Sequence, residues 1–342
     1  MIEQAFGQSS PWSVGIEEEL FVLDAETLEP VPFPPEAFAP PRFKPELFAS
    51  VVELNTGICE SVEAAVTELA ELRSEAKERA AAAGLALAAA GTWPTAVSEE
   101  QPITEDEGYR CFIEYAGSSA RRQYCSGLHV HVGMESAEAC MAALEEVLRW
   151  LPVVLAASAN SPYVAGRESG LASARAEILA LLPRSAAPPA FASYEEWEAF
   201  AERLLELGLA DSYTRIWWDV RPHPRFGTLE VRMADQPTSL EATAALAGLI
   251  HALVSTARPA GAADRGIYAE NRWAAARFGR EARLVHPSGD RLATIPELLD
   301  ELAARSGGAV GAVQGLDQAG RQLALGRSEG LRSVCERLVA LT

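Results

Sequence analysis

V-G-I-E-E-E-L-F-V-L, from Val14 to Leu23, decides the fold when it is read with the two-residue period of a β-strand. That reading puts Glu17 and Glu19 on one face with Phe21 and sends Ile16, Leu20 and Val22 to the other face, together with Glu18. Two distant stretches repeat the design. In G-L-H-V-H-V-G, from 127 to 133, His129 and His131 stand against Val130, Val132 and the following Met134. In T-L-E-V-R-M, from 228 to 233, Glu230 and Arg232 stand against Leu229, Val231 and Met233. Ionisable side chains supplied by separate strands, with apolar residues behind them, make a metal and anion site on a rigid sheet. The pattern points to an enzyme.

With 342 residues, 49% of them hydrophobic, the chain can bury a large core. The three stretches span 14 to 233, so any domain cut within that interval would divide the site. The expectation is therefore one catalytic domain, 1–342, whose C-terminal portion, 285–342, is mainly helical. A formal charge of −19 argues against broad affinity for nucleic acid or an anionic membrane. Lys44 and Lys77 are the only lysines, so arginines or a metal ion must hold any phosphate or carboxylate. The five cysteines, Cys59, Cys111, Cys125, Cys140 and Cys335, show no C-x-x-C pairing, which fits a reducing, cytoplasmic setting. No apolar run reaches the roughly 20 residues that span a bilayer.

Further elements follow from local signals. Val31 to Phe43 is too rich in proline for helix or central strand and reads as a loop, either a cover over the site or a surface connection. Strands are expected at 50–54 and 216–221 and in the L-A-L-A-A-A-G run at 85–91. Helices are expected at about 63–83, stopped by Gly84, at 137–151 behind Ser136, at 194–207 with Ser193 and Glu196 as a capping box, and at 239–257 after Thr238. Loops are expected at 183–189, 222–224 and 307–315. Strands and helices mix without strict alternation, which favours an α+β fold with a largely antiparallel sheet.

Glu17 and Glu19 on one strand face emerge about 7 Å apart and repel one another unless cations lie close by. They suit a pair of divalent ions bridging nucleotide phosphates, magnesium or manganese by ligand type. The alternative is a solvated strand face. The H-V-H pair reads as metal ligands, phosphate partners or packed core histidines, and it also resembles the H-x-H of metal-dependent amidohydrolases. Glu230 could ligate a metal and Arg232 grip a phosphate, or the pair could be an ion bridge between strands. Glu53 is a lone acid in an apolar strand. The chain contains no G-x-x-x-x-G-K-[ST] and no G-x-S-x-G, so any ATP must be held by metal ions and arginines against the sheet.

Taken in order, G-I-E-E-E-L, V-E-L-N-T-G-I-C, S-G-L-H-V-H-V-G, A-S-A-N-S-P-Y, G-L-A-S-A-R, W-W-D-V-R-P-H-P-R-F-G-T-L-E-V-R and E-N-R-W resemble the carboxylate-amine ligases of the glutamate-cysteine ligase type 2 family. More distantly, E-x-E, G-x-H-x-H and E-V-R are similar to glutamine synthetases, whose curved antiparallel sheet forms a funnel-shaped site. The resemblance implies ATP and Mg2+ or Mn2+ as cofactors, and a glutamate-like acid and an amine as small-molecule partners. It implies neither nucleic acid nor membrane as a partner, and it leaves room for a homo-oligomer. It also implies that Glu17, Glu19, Glu53, His129 and Glu230 bind metal and that His131 and Arg232 contact ATP phosphates. Arg175 and Arg221, with Arg232, become candidates for the amino-acid carboxylate or the moving phosphoryl group. An amide hydrolase built on the H-x-H pair, or a binding protein without catalysis, are the competing readings. One motif departs from the family: Gly91, Thr92, Trp93, Pro94 and Thr95 stand where G-T-H-P-F is usual, which alters the expected acceptor pocket.

Overall fold

The computed structural model describes residues 2–37, 42–306 and 311–342. Its centre is an open sheet of seven strands: β1 (Val14–Asp24), β2 (Phe43–Pro45), β3 (Val51–Asn55), β4 (Leu85–Ala88), β5 (Gly127–Gly133), β6 (Val220–His223) and β7 (Thr228–Asp235). The order is β6-β7-β5-β1-β3-β2, every pair antiparallel, with β4 also joined to β1. β1 changes partner along its length. Glu17 to Phe21 pair with β3, and Phe21 to Asp24 pair with β4.

One face of the sheet is apolar and carries the core. Ile16, Leu20, Val22, Val52, Leu54, Val130, Val132, Leu229 and Val231 are all buried there. They pack against α1 (Val62–Ala82), α2 (Ala137–Ser158) and α5 (Leu240–Ser255) through residues such as Leu69, Leu72, Leu148 and Leu246. The intervening helices are α3 (Ala174–Leu179) and α4 (Tyr194–Glu206), and α6 (Arg265–Phe278) follows α5. Each fully buried aliphatic side chain contributes roughly 1.5–3 kcal/mol of transfer free energy, so this seam fixes the register of every strand. Glu18 points into the same layer, as expected of a structural residue. Arg73 of α1 donates to both its oxygens at 2.7 and 2.8 Å, and Thr243 donates at 2.6 Å.

Several elements differ from their sequence signals. α2 does not stop at 151 but runs through Pro152 to Ser158, because its whole final turn is buried and tertiary packing outweighs one missing hydrogen bond. The cap of α5 is Ser239, whose hydroxyl accepts from Ala242 N, while the hydroxyl of Thr238 accepts from Asn160. At α4 the Glu196 carboxylate reaches past the cap to Ala192 N, so the capping box is not closed. The stretch 216–221 is not one strand. Trp217–Trp218 pair in parallel with Ser185–Ala186, the chain turns at Asp219, and β6 then continues through Pro222, a residue expected in a loop. An edge strand tolerates this proline because one side of its backbone has no neighbour. The strand at 85–91 ends at Ala88. Of the proline-rich stretch 31–43, residues 38–41 lie outside the described residues, as do 307–310 of the glycine-rich stretch. Around the former, Phe33 and Ala37 are buried in the core. Among the described residues no helix is long and apolar enough to cross a membrane.

Candidate active site

The face opposite the core collects the ionisable residues, and strand register decides which of them meet. Glu17 faces His129, Glu19 faces Glu53, and Glu230 lies between His131 and Arg221. His129 Nδ1 is 3.2 Å from Glu17 Oε2, and His131 Nε2 is 3.4 Å from Glu17 Oε1 and 3.9 Å from Glu230 Oε1. His131 Nδ1 pairs with the Thr228 hydroxyl at 2.9 Å, leaving Nε2 buried with no hydrogen-bond partner. Burial alone would raise the Glu17 carboxyl, but both histidines outweigh it and hold it well below the usual carboxylate range. Glu230 is likewise held well down against burial, by Arg221 and Arg232 first and then by His131. Burial opposes charge on His131 as well, yet Glu230 and Glu17 raise it.

A second cluster stands beside the first. Ligand atoms of Glu19, Glu46 and Glu53 lie within 4.8 Å of one another, as do those of Glu17, His131 and Glu230. Glu19 Oε2 accepts from Gly127 N at 2.6 Å, and Glu53 Oε1 accepts from Lys44 Nζ at 3.1 Å. Burial first, then Glu53 and Glu19, push Glu46 well above the usual carboxylate range. An orphaned imidazole nitrogen between two carboxylates and three crowded carboxylates are both defects that a divalent cation would repair. Each donor set fits such an ion, the acid trio favouring a hard one.

The three arginines differ in what they leave free. Arg221 donates through Nε to Glu230 Oε2 at 2.6 Å and through Nη1 to the carbonyls of Thr214 and Ile216. Its fork is spent on holding Glu230. Arg175, on α3, crosses Gly127 and donates to the carbonyls of Met233 and Arg232 at 3.1 and 3.2 Å. Arg232 contacts Glu230 through Nη1 alone and is partly exposed, which leaves it donors not spent on Glu230. A cavity of about 400 Å3 opens next to Glu17 and His131, walled by Arg42, Lys44, Ile58 and Phe226.

All nine residues singled out from the sequence therefore sit on or against one sheet face. The grouping differs from expectation in one respect: His131, not His129, joins Glu17 and Glu230, because β5 sets it directly across from Glu230. Glu46 was not legible, since it follows β2 in a proline-flanked turn where no period applies. Thr228 was within reach, two residues before Glu230 and on its face. His223 is buried, stacked on Phe226 at 4.2 Å, with its ring 5.3 Å from that of His131. Trp93, in the departed motif, is buried against Phe21 and donates from Nε1 to Leu28 O at 3.0 Å.

An open antiparallel sheet that gathers carboxylates, imidazoles and arginines on one face, with no Walker loop, defines the class of ATP-dependent carboxylate-amine ligases. The profile described as glutamate-cysteine ligase family 2 (GCS2) matches residues 13–330, and the chain belongs to that family. A Rubrobacter xylanophilus protein provisionally named glutamate-cysteine ligase 2-3 is 39% identical over 311 residues, covering 89% of this chain and 86% of that protein. A provisionally named glutamate-cysteine ligase 2 of Sorangium cellulosum is 38% identical over 306 residues, 85% of this chain and 82% of its own. The glutamate-cysteine ligase of Francisella tularensis, solved in complex with AMP, shares the fold at a TM-score of 0.71 and 15% identity, with 97% and 89% of the two chains covered. Both the family and the fold read from the motifs are borne out.

Proposed function

We propose that this protein transfers the γ-phosphoryl group of ATP to the side-chain carboxylate of a glutamate-like acid and joins the acyl group to an amine, cysteine or another amino acid. A carboxylate is a poor electrophile at neutral pH, and phosphorylation gives it a leaving group. The amine nitrogen then bonds to the acyl carbon as the bond to phosphate oxygen breaks, and the amine gives up a proton. Glu17, His131 and Glu230 would hold one divalent cation, Mg2+ or Mn2+, with His129 beside Glu17, and Glu19, Glu46 and Glu53 another. When bound, such cations supply neutralising charge to the phosphates. Arg232 would add a directional donor to the phosphoryl group, while Arg221 keeps Glu230 ionised and in place. The adjoining cavity, with exposed Ile58 and Phe226 at its wall, suits the planar base of the nucleotide. We take the whole chain, 1–342, to act as one catalytic unit, since the clusters draw on residues from Glu17 to Arg232.

The observation that carries this reading is the pair of cation-competent clusters side by side beneath one arginine with open donors. Incubation with ATP, Mg2+ and a panel of amino acids tests it, with phosphate release and product mass read together. ADP, phosphate and an amide should appear in equal amounts. Amide cleavage without ATP consumption, or binding with no turnover on any acid, would reject the ligase.

A further inference from the structure

β7 breaks register with β5 between Val231 and Ala234, so the backbone of Arg232 has no partner in that strand. A bulge of this kind leaves peptide groups that must be satisfied elsewhere. Arg232 N donates to the Asp219 carbonyl at 2.9 Å, and Arg232 O accepts from Arg175 Nη2 at 3.2 Å. The arginine with open donors is thus gripped from both sides. Both grips lead to one residue. Arg272 of α6 donates through Nε to Asp219 Oδ2 at 2.9 Å and through Nη2 to the carbonyl of Ala176, next to Arg175, at 2.7 Å. Tyr268 adds a second bond to Asp219 Oδ2 at 2.7 Å, and Glu177 takes Arg272 Nη1 at 3.2 Å. The contacts close a ring: Arg272, Asp219, Arg232, Arg175, Ala176 and back to Arg272.

We infer that Arg272 is a positioning residue for the phosphate-facing guanidinium of Arg232, acting at a distance by clamping Asp219 and the first turn of α3 together. Arg272 itself is buried and spends its donors within the protein, so it touches no substrate. Only a planar fork spans both partners, because a lysine ammonium placed on Asp219 would release the Ala176 carbonyl. The assignment of Arg232 to phosphate rests on the function proposed above, but the clamp itself stands on these contacts.

The test is a double-mutant cycle read by pyrophosphate binding in Mg2+, measured calorimetrically on the full chain, which requires no ligase turnover. R272K should weaken pyrophosphate about tenfold, the loss that one misplaced charge-assisted hydrogen bond produces. R232K should weaken it at least as much, and R232K/R272K no further than R232K alone, because residues acting through one another are not additive. Mn2+ binding should be unchanged in R272K. Should R272K fail to fold by circular dichroism, D219N takes its place in the cycle, since it keeps the carbonyl that holds Arg232 and weakens the side-chain grip of Arg272, together with that of Tyr268, on residue 219. Additive losses, wild-type affinity in R272K, or no pyrophosphate binding by the wild type would each overturn the inference. Phosphate release from ATP by the wild type reports separately on the ligase reading.

Discussion

Glu46 contributes a carboxylate to the acid trio without any sequence signal to mark it, whereas Glu19 was legible from strand period and Glu53 from the family resemblance. The difference is physical: alternation encodes which face a strand residue takes, and a residue in the turn after β2 has no such code. Glu46→Gln should remove a ligand and relieve like-charge crowding at once. Mn2+ titration followed by electron paramagnetic resonance should show one class of ion weakened at least about tenfold, with thermal stability unchanged or raised. Loss of both classes would mean that the clusters are not separate sites. His223 carries a pH dependence of its own. Burial drives its imidazole from the ordinary 6.5 down to about 3. Its folded value lies below the unfolded one, so the associated stability is complete above 6.5 and is lost as pH falls through that value toward 3. Urea unfolding of the metal-free protein should show about 2 kcal/mol of loss from this group between pH 7 and pH 5. His223→Phe, which keeps the stack on Phe226, should remove that increment; an identical acid profile in the variant would assign the loss elsewhere.

Secondary elements were readable where one force acted and misread where two competed. α1 begins and ends where its cap at Ser61 and its Gly84 stop demand. α2 overruns Pro152 because core packing opposes the proline, and the strand expected at 216–221 breaks because Asp219 is drawn toward α6 by Arg272 and Tyr268. Neither competition is visible in local sequence. Gly127 is a case in which an element must leave space: a Cβ there would overlap the Arg175 guanidinium, although its backbone angles are ordinary for a strand. Gly127→Ala should therefore displace Arg175 while β5 still pairs. Activity should fall at least about a hundredfold, as expected for misplacement near the reacting groups, with cation affinity nearly intact. Comparable losses in both would indicate collapse of the strand instead.

Across the whole molecule, the sheet joins two chemistries back to back, charged residues on one side and core on the other, and one ion pair crosses into the core. Glu18 and Arg73 are almost wholly buried. Their role as structure was legible for Glu18 from its face alone, but its partner, 55 residues away in an amphipathic helix, was not. Arg73→Met strands a buried carboxylate and should cost about 3–5 kcal/mol in denaturant unfolding, much of it recovered when Glu18→Gln is added. Equal destabilisation in single and double variants would deny the coupling. The strand order also sets a schedule for synthesis. Glu19, Glu46 and Glu53 all precede α1 in the chain, two of them on the paired strands β1 and β3 and the third in the turn after β2, whereas the other cluster waits for Glu230. On the function proposed above, a nascent chain would thus own its acid trio long before the guanidinium that directs the phosphoryl group.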